Sequence, residues 1–152
     1  MMSEKNVLKS LKRKLTKEWS RIKMDLEIWK SFVNDNYYEF SALKDKAKIA
    51  LLLPDTDKMI ILEKSEDKML IHSGHADEFD FPFAQIALQF SEESADKLNE
   101  NWSFNTLKNL TKKDEIRILS FVNENELRYY KFNIFLKKFG YEINSSCSCG
   151  CC

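Results

Sequence analysis

The chain has 152 residues, enough for one domain with a substantial core. Equal numbers of acidic and basic side chains cancel to a net charge of zero, which excludes the strong overall field of a nucleic-acid-coating protein. Three glycines and two prolines are too few for a many-turned β sandwich, and neither phosphate-loop motif can be written with them.

Charge is unevenly placed. Residues 1–24 carry eight basic and two acidic side chains, whereas residues 54–100 carry twelve acidic and four basic. The N-terminal stretch from Ser3 to about Asn34 is expected to be one long helix. Leu8, Leu15, Ile22 and Trp29 recur every seven residues, and Trp19, Leu26 and Val33 form a second column, a narrow apolar seam of the coiled-coil kind. Lys9, Lys12, Arg13, Lys14, Lys17 and Arg21 fall on the other faces. They form a candidate surface for an anionic membrane or a partner protein, while the seam is suited to self-association. No apolar h-region precedes them and no run has the length of a membrane span, so the expected setting is cytoplasmic.

Asn34-Asp35-Asn36 reads as a loop, and Tyr37 to Lys48 as a short helix with Tyr38, Leu43 and Ala47 inward. Ile49 to Leu53 is an apolar run stopped by Pro54, which predicts a buried strand. Lys58–Lys64 and Lys68–Ser73 predict a hairpin turned by Ser65-Glu66-Asp67. His72 and His75 follow, with carboxylates at 77, 78 and 80 nearby; a surface loop with two solvated imidazoles is the first reading and a metal site the second. Phe79, Phe81 and Phe83 precede an apolar segment, Gln85 to Phe90, read as another strand.

Ser91-Glu92-Glu93 is a helix start, with a serine cap and acids in the first turn. That helix is expected to run to about Asn101, with another turn or two over Phe104–Leu110. Thr111-Lys112-Lys113-Asp114 is read as opening a third helix, with Ile116, Leu119 and Val122 on one side. Asn123 or Asn125 starts a fourth, ended by Gly140 after Lys137-Lys138. The second member of any helix pair here is too apolar to lie in a DNA groove, so nucleic acid is not an expected partner. The expected fold is α+β and helix-dominated. It comprises a globular body over 1–143, with the helix over 1–34, a small antiparallel sheet within 49–90 and a helical subdomain over 91–140.

The remaining segment, 144–152, is expected to be a disordered tail. All four cysteines lie there: Cys147, Cys149, Cys151 and Cys152, interleaved with Ser145, Ser146, Ser148 and Gly150. Disulfides among such close neighbours would close only small strained loops. Dense Ser and Cys beside a flexible spacer suit another chemistry. A β-hydroxyl or β-thiol can attack the preceding carbonyl with loss of one water to give an azoline ring, or a dehydrated serine can take up a thiol as a thioether.

Ser145-Ser146-Cys147-Ser148-Cys149-Gly150-Cys151-Cys152 resembles the core of ribosomally synthesised, post-translationally modified peptide precursors, especially the thiazole/oxazole and thiopeptide kinds. The resemblance implies that the rest of the chain serves as leader or carrier and that modifying enzymes are its partners. With no cysteine in the body to act as a nucleophile and no G-x-S-x-G elbow, the chain is not expected to be an enzyme, and no cofactor is expected. Two other uses of the same thiols stay open. The Gly-Cys-Cys ending is similar to the doubly prenylated ends of Rab-type GTPases, and S-acylation of several cysteines would anchor the chain to a membrane. The C-x-C and C-C spacing resembles metallothionein-like thiolate runs, which suit Cu(I) through Cys147, Cys149, Cys151 and Cys152.

Overall fold

The computed structural model describes residues 26–54, 58–80 and 82–143. Their elements are α1 (Leu26–Asp35), α2 (Tyr37–Phe40), β1 (Lys48–Leu52), β2 (Lys58–Ser65), β3 (Lys68–His75), β4 (Ile86–Phe90), α3 (Glu92–Glu100), α4 (Phe104–Lys112), β5 (Ile116–Ser120), α5 (Glu124–Tyr129) and α6 (Phe132–Lys137). A single 3₁₀ turn, Ala76–Glu78, follows β3. The α+β class therefore holds.

Five strands form one sheet in the order β3-β2-β1-β4-β5. The expected hairpin is present, with Ser65 opposite Lys68 and Glu66 taking a positive φ of 54° in the turn. The expected sheet was antiparallel and confined to residues 49–90, and the structure corrects both points. β1 and β4 run parallel, with Ile49 opposite Ile86 and Leu51 opposite Leu88. The fifth strand comes from residues 116–120, paired antiparallel to β4. Because that strand joins the sheet, residues 91–140 are not helical throughout.

Strand alternation sorts the apolar residues onto two faces. Ile49, Leu51, Ile60, Leu62, Ile86, Leu88 and Ile116 face the helices and pack with Trp29, Phe40, Leu98, Phe132 and Phe135 in the main core. Ala50, Met59, Ile61 and Ala87 face the other way, where Ala84, Phe79 and Phe83 of the β3–β4 connection join them. Phe83 meets Phe121 edge-on at 5.3 Å. At Gly74 a Cβ would sit 3.2 Å from the Phe79 ring, so the absence of a side chain lets the connection close over the sheet.

Other corrections concern element boundaries. Of the long N-terminal helix, only Leu26–Asp35 lies among the described residues; the columns through Leu8, Leu15, Trp19 and Ile22 lie outside them. The expected loop at 34–36 is a single break at Asn36, whose amide donates to the Phe32 carbonyl at 2.8 Å. The helix expected over 37–48 is one turn, and its Tyr38, expected inward, is 81% exposed, while Leu43 and Ala47 are buried as expected. Residues 116–120, expected helical, are β5. Asp114, with φ +63°, does not start a helix. It follows the end of α4 in the left-handed conformation. The fourth helix is capped by Asn123 as expected, but it is broken in two by Lys131 at φ +68°. Ser91 caps α3 in a reciprocal capping box with Ser94.

Candidate functional site

Six residues, 138–143, separate the end of α6 from the cysteine-bearing segment, and the chain there is held in place. Phe132, Phe135, Leu136 and Phe139 are buried, which fixes one face of this segment against the core. The helix then closes in a Schellman turn. Gly140 takes φ +83°, its N–H donates to the Lys137 carbonyl at 3.0 Å, and the Tyr141 N–H donates to the Leu136 carbonyl at 3.1 Å. A residue with a Cβ would be strained at that φ, so the expected stop at Gly140 has a structural basis. Tyr141 and Ile143 are half-buried against the main core. The point from which residues 144–152 depart is therefore a fixed place on the body.

Tyr141 reaches back to the far end of α4. Its hydroxyl donates to the Asp114 carboxylate at 3.4 Å. Burial raises the phenol above its ordinary pKa, and the negative charge of Asp114 and the hydrogen bond to it add to the effect. A raised folded-state value means that this contact stabilises the fold fully below the ordinary tyrosine pKa. That stabilisation is lost as pH rises through the folded value, when a phenolate would face Asp114. Tyr141→Phe is expected to remove, from the ultraviolet phenolate titration of the five tyrosines, a component that ionises above the ordinary tyrosine range. Loss of a component that ionises within the ordinary tyrosine range would instead show that the contact does not form in solution.

The other expected site residues fall as follows. Cys147, Cys149, Cys151, Cys152, Ser145, Ser146 and Ser148 lie outside the described residues, as do Lys9, Lys12, Arg13, Lys14, Lys17 and Arg21. His72 and His75 are exposed, as expected, but they belong to β3 rather than to a loop. Three positions apart on a strand, they point to opposite faces. His72 Nε2 lies 3.7 Å from Glu63, which also stands 3.9 Å from Lys48. Among the described residues no group of three or more His, Cys, Asp or Glu side chains is arranged to hold a metal ion.

One feature that the sequence did not announce is an open cleft of about 640 Å³ between α1 and the start of α4. Phe32, Trp102 and Phe104 give it aromatic walls, and Glu27 and Asp35 bring two carboxylates. Spacing within α1 places Glu27, Ser31 and Asp35 on one stripe at four-residue intervals.

No protein-family model matches the chain. No curated protein matches it either. A solved structure described as a UbiJ-SCP2 ubiquinone synthesis protein aligns with 95% of this chain and 100% of its own, at 12% identity and a TM-score of 0.37, a likeness too slight to bear on function. Among the described residues no helix is long and apolar enough to cross a membrane.

Proposed function

We propose that the protein is a precursor whose folded body carries and presents the segment Ser145–Cys152 for covalent modification by separate enzymes. The observation that supports this reading is the clamped root. The chain is tied to the core through Tyr141 and Ile143, and every thiol of the protein lies beyond that point. A modifying enzyme that grips the body would meet the tail at a constant origin, which raises the local concentration of the reacting side chains. In this reading the body catalyses nothing and needs no cofactor. Cys147, Cys149, Cys151 and Cys152 are the main reacting groups, with Ser145, Ser146 and Ser148 secondary. For each ring, the side-chain nucleophile adds to the preceding carbonyl carbon and that oxygen leaves as water.

Intact mass of the protein isolated from its native host tests the proposal. The expected result is a deficit of one water for each ring or dehydration, mapped by fragmentation to residues 145–152. Added acyl or prenyl mass on the cysteines would replace modification by anchoring. A tail of unaltered mass with four freely titrating thiols would overturn the precursor reading.

A further inference from the structure

Among the described residues, the large apolar side chains left exposed are Tyr38, Tyr129 and Ile134, at 81%, 57% and 46%. They sit on α2, α5 and α6, and these elements form one connected surface. Phe40 of α2 packs on Phe135 of α6 at 5.5 Å between ring centres. Lys138 Nζ, just past α6, donates to the Glu39 carbonyl at 2.9 Å, pairs with its carboxylate at 3.1 Å and stands 5.8 Å from the Tyr38 ring. The Lys44 N–H donates to the Tyr130 carbonyl at 3.0 Å, and its ammonium lies 3.4 Å over the Tyr129 ring.

Helical spacing then decides what α6 shows to solvent. With Phe132, Phe135, Leu136 and Phe139 buried, the outward side carries Lys131, Ile134 and Lys137. From Leu127 to Tyr141 the chain holds four basic residues and no acidic one. Acids on these elements or beside them are Glu39, which is paired with Lys138, Glu124, which lies 3.6 Å from Arg128, and the exposed Glu126, Asp45 and Glu142, the last two next to Lys44 and Tyr141. The surface thus combines lysines, two exposed tyrosines and one aliphatic knob, with its positive charge concentrated along residues 131–138, which carry three lysines and no acid.

We propose that this α2–α5–α6 face docks on an anionic phospholipid surface. Tyrosine suits the boundary between headgroups and acyl chains because its ring is apolar and its hydroxyl wet. Lysine can bury its stem while its ammonium stays among the headgroups. Lysines are mobile point charges, suited to a diffuse plane of negative charge, whereas recognition of a fixed carboxylate or phosphate favours the rigid fork of arginine. Lysine is also depleted in protein–protein interfaces. Gly140 lies two residues beyond Lys138, so docking would set the root of the cysteine tail at the lipid surface. The inference does not depend on whether the tail is modified.

Co-sedimentation of the full chain with vesicles tests it. One set is phosphatidylcholine alone; the other contains a large fraction of phosphatidylglycerol. Wild type is expected to partition onto the anionic vesicles only, and less at high salt. Each lysine near such a surface is worth about 1 kcal/mol, roughly fivefold in partition, so Lys131→Glu with Lys137→Glu is expected to weaken binding at least about twentyfold. Ile134→Ser and Tyr38→Ser, both at exposed positions, are expected to weaken it several-fold without altering the salt dependence. The melting curve of each variant checks that it folds.

Equal binding to both vesicle types would overturn the proposal. So would undiminished binding by the Lys131/Lys137 variant alongside a loss in Lys12→Glu with Arg13→Glu, which would assign the affinity to the basic N-terminal stretch. If wild type bound a polyglutamate peptide but not the vesicles, the occupant would be an acidic protein and the proposal would fail.

Discussion

Trp29→Ala is expected to cost about 3–5 kcal/mol, roughly a third to a half of the stability of a typical domain. Trp29 is fully buried in α1, where its ring meets Phe32, Phe90 and Trp102 edge-on at 5.5, 5.8 and 5.0 Å between centres. Those three partners belong to α1, to β4 and to the α3–α4 connection. One side chain therefore joins the first described helix both to the sheet and to the C-terminal helices. Truncation removes the edge-to-face contacts and leaves a void that three aromatic rings cannot collapse to fill. Trp29→Phe is a different experiment. The indole N–H has no acceptor among the described residues, so phenylalanine sheds a buried donor while keeping a ring in place. Loss of the smaller volume costs about 1 kcal/mol. Removal of the orphan returns about 1 kcal/mol or more. Urea unfolding is expected to place the Phe variant within about 1 kcal/mol of wild type and the Ala variant far below it. Equal losses for the two would mean that the N–H has a partner and that a phenyl ring cannot stand in for the indole.

The sequence made the strands legible where alternation and turn chemistry agreed. Lys58 to Ser73 is the clearest case, because two apolar runs flank an acidic turn and can hardly be read otherwise. Thr111 to Ser120 shows the opposite. Lys112-Lys113-Asp114 reads as a helix start, yet lysines also suit a helix's last turn, and Asp114 takes the left-handed conformation that follows an end. Ile116, Ile118 and Leu119 fit a helix face or a strand equally well. What decides is the free edge of β4, where residues 116–120 find backbone partners, and a single sequence cannot display that edge.

The tail's Ser and Cys composition stood in plain view, and Gly140 marked the end of the helical pattern. The Tyr141–Leu136 bond that fixes the departure point, and the packing of Tyr141 and Ile143, were visible only in three dimensions. The exposure of Ile134 was hidden for a related reason. In a stretch with apolar residues on most sides, periodicity does not say which one is left outside. Only the packing of Phe135 on Phe40 and the break at Lys131 settle the rotation of α6.

Lys64 is the second residue on which the body depends. It is 5% exposed, on the helix-facing side of β2, and its ammonium donates to the Ser41 carbonyl at 3.2 Å and the Leu43 carbonyl at 3.0 Å. These carbonyls belong to the turns between α2 and β1, which no strand or helix ladder satisfies. The backbone of Lys64 serves the same turns, since its N–H donates to the Ala47 carbonyl at 2.8 Å and its carbonyl accepts from the Lys46 N–H at 2.7 Å. Lys46 is itself at φ +73°, so this connection is held in shape by its partners rather than by its own preference. Lys64→Met keeps most of the buried stem and removes both charge-assisted bonds. The Ser41 carbonyl can turn to water because Ser41 is exposed; the Leu43 carbonyl, beside a buried side chain, is left short of a donor. That asymmetry puts the expected loss at about 1–3 kcal/mol rather than twice as much. Lys64→Ala adds a cavity between α2 and the sheet, for about 1–2 kcal/mol more. Hydrogen exchange is expected to localise the Met effect to residues 41–47, with β4 and β5 little changed. If exchange instead rises uniformly, or the Met variant is as stable as wild type, the ammonium does not hold the connection.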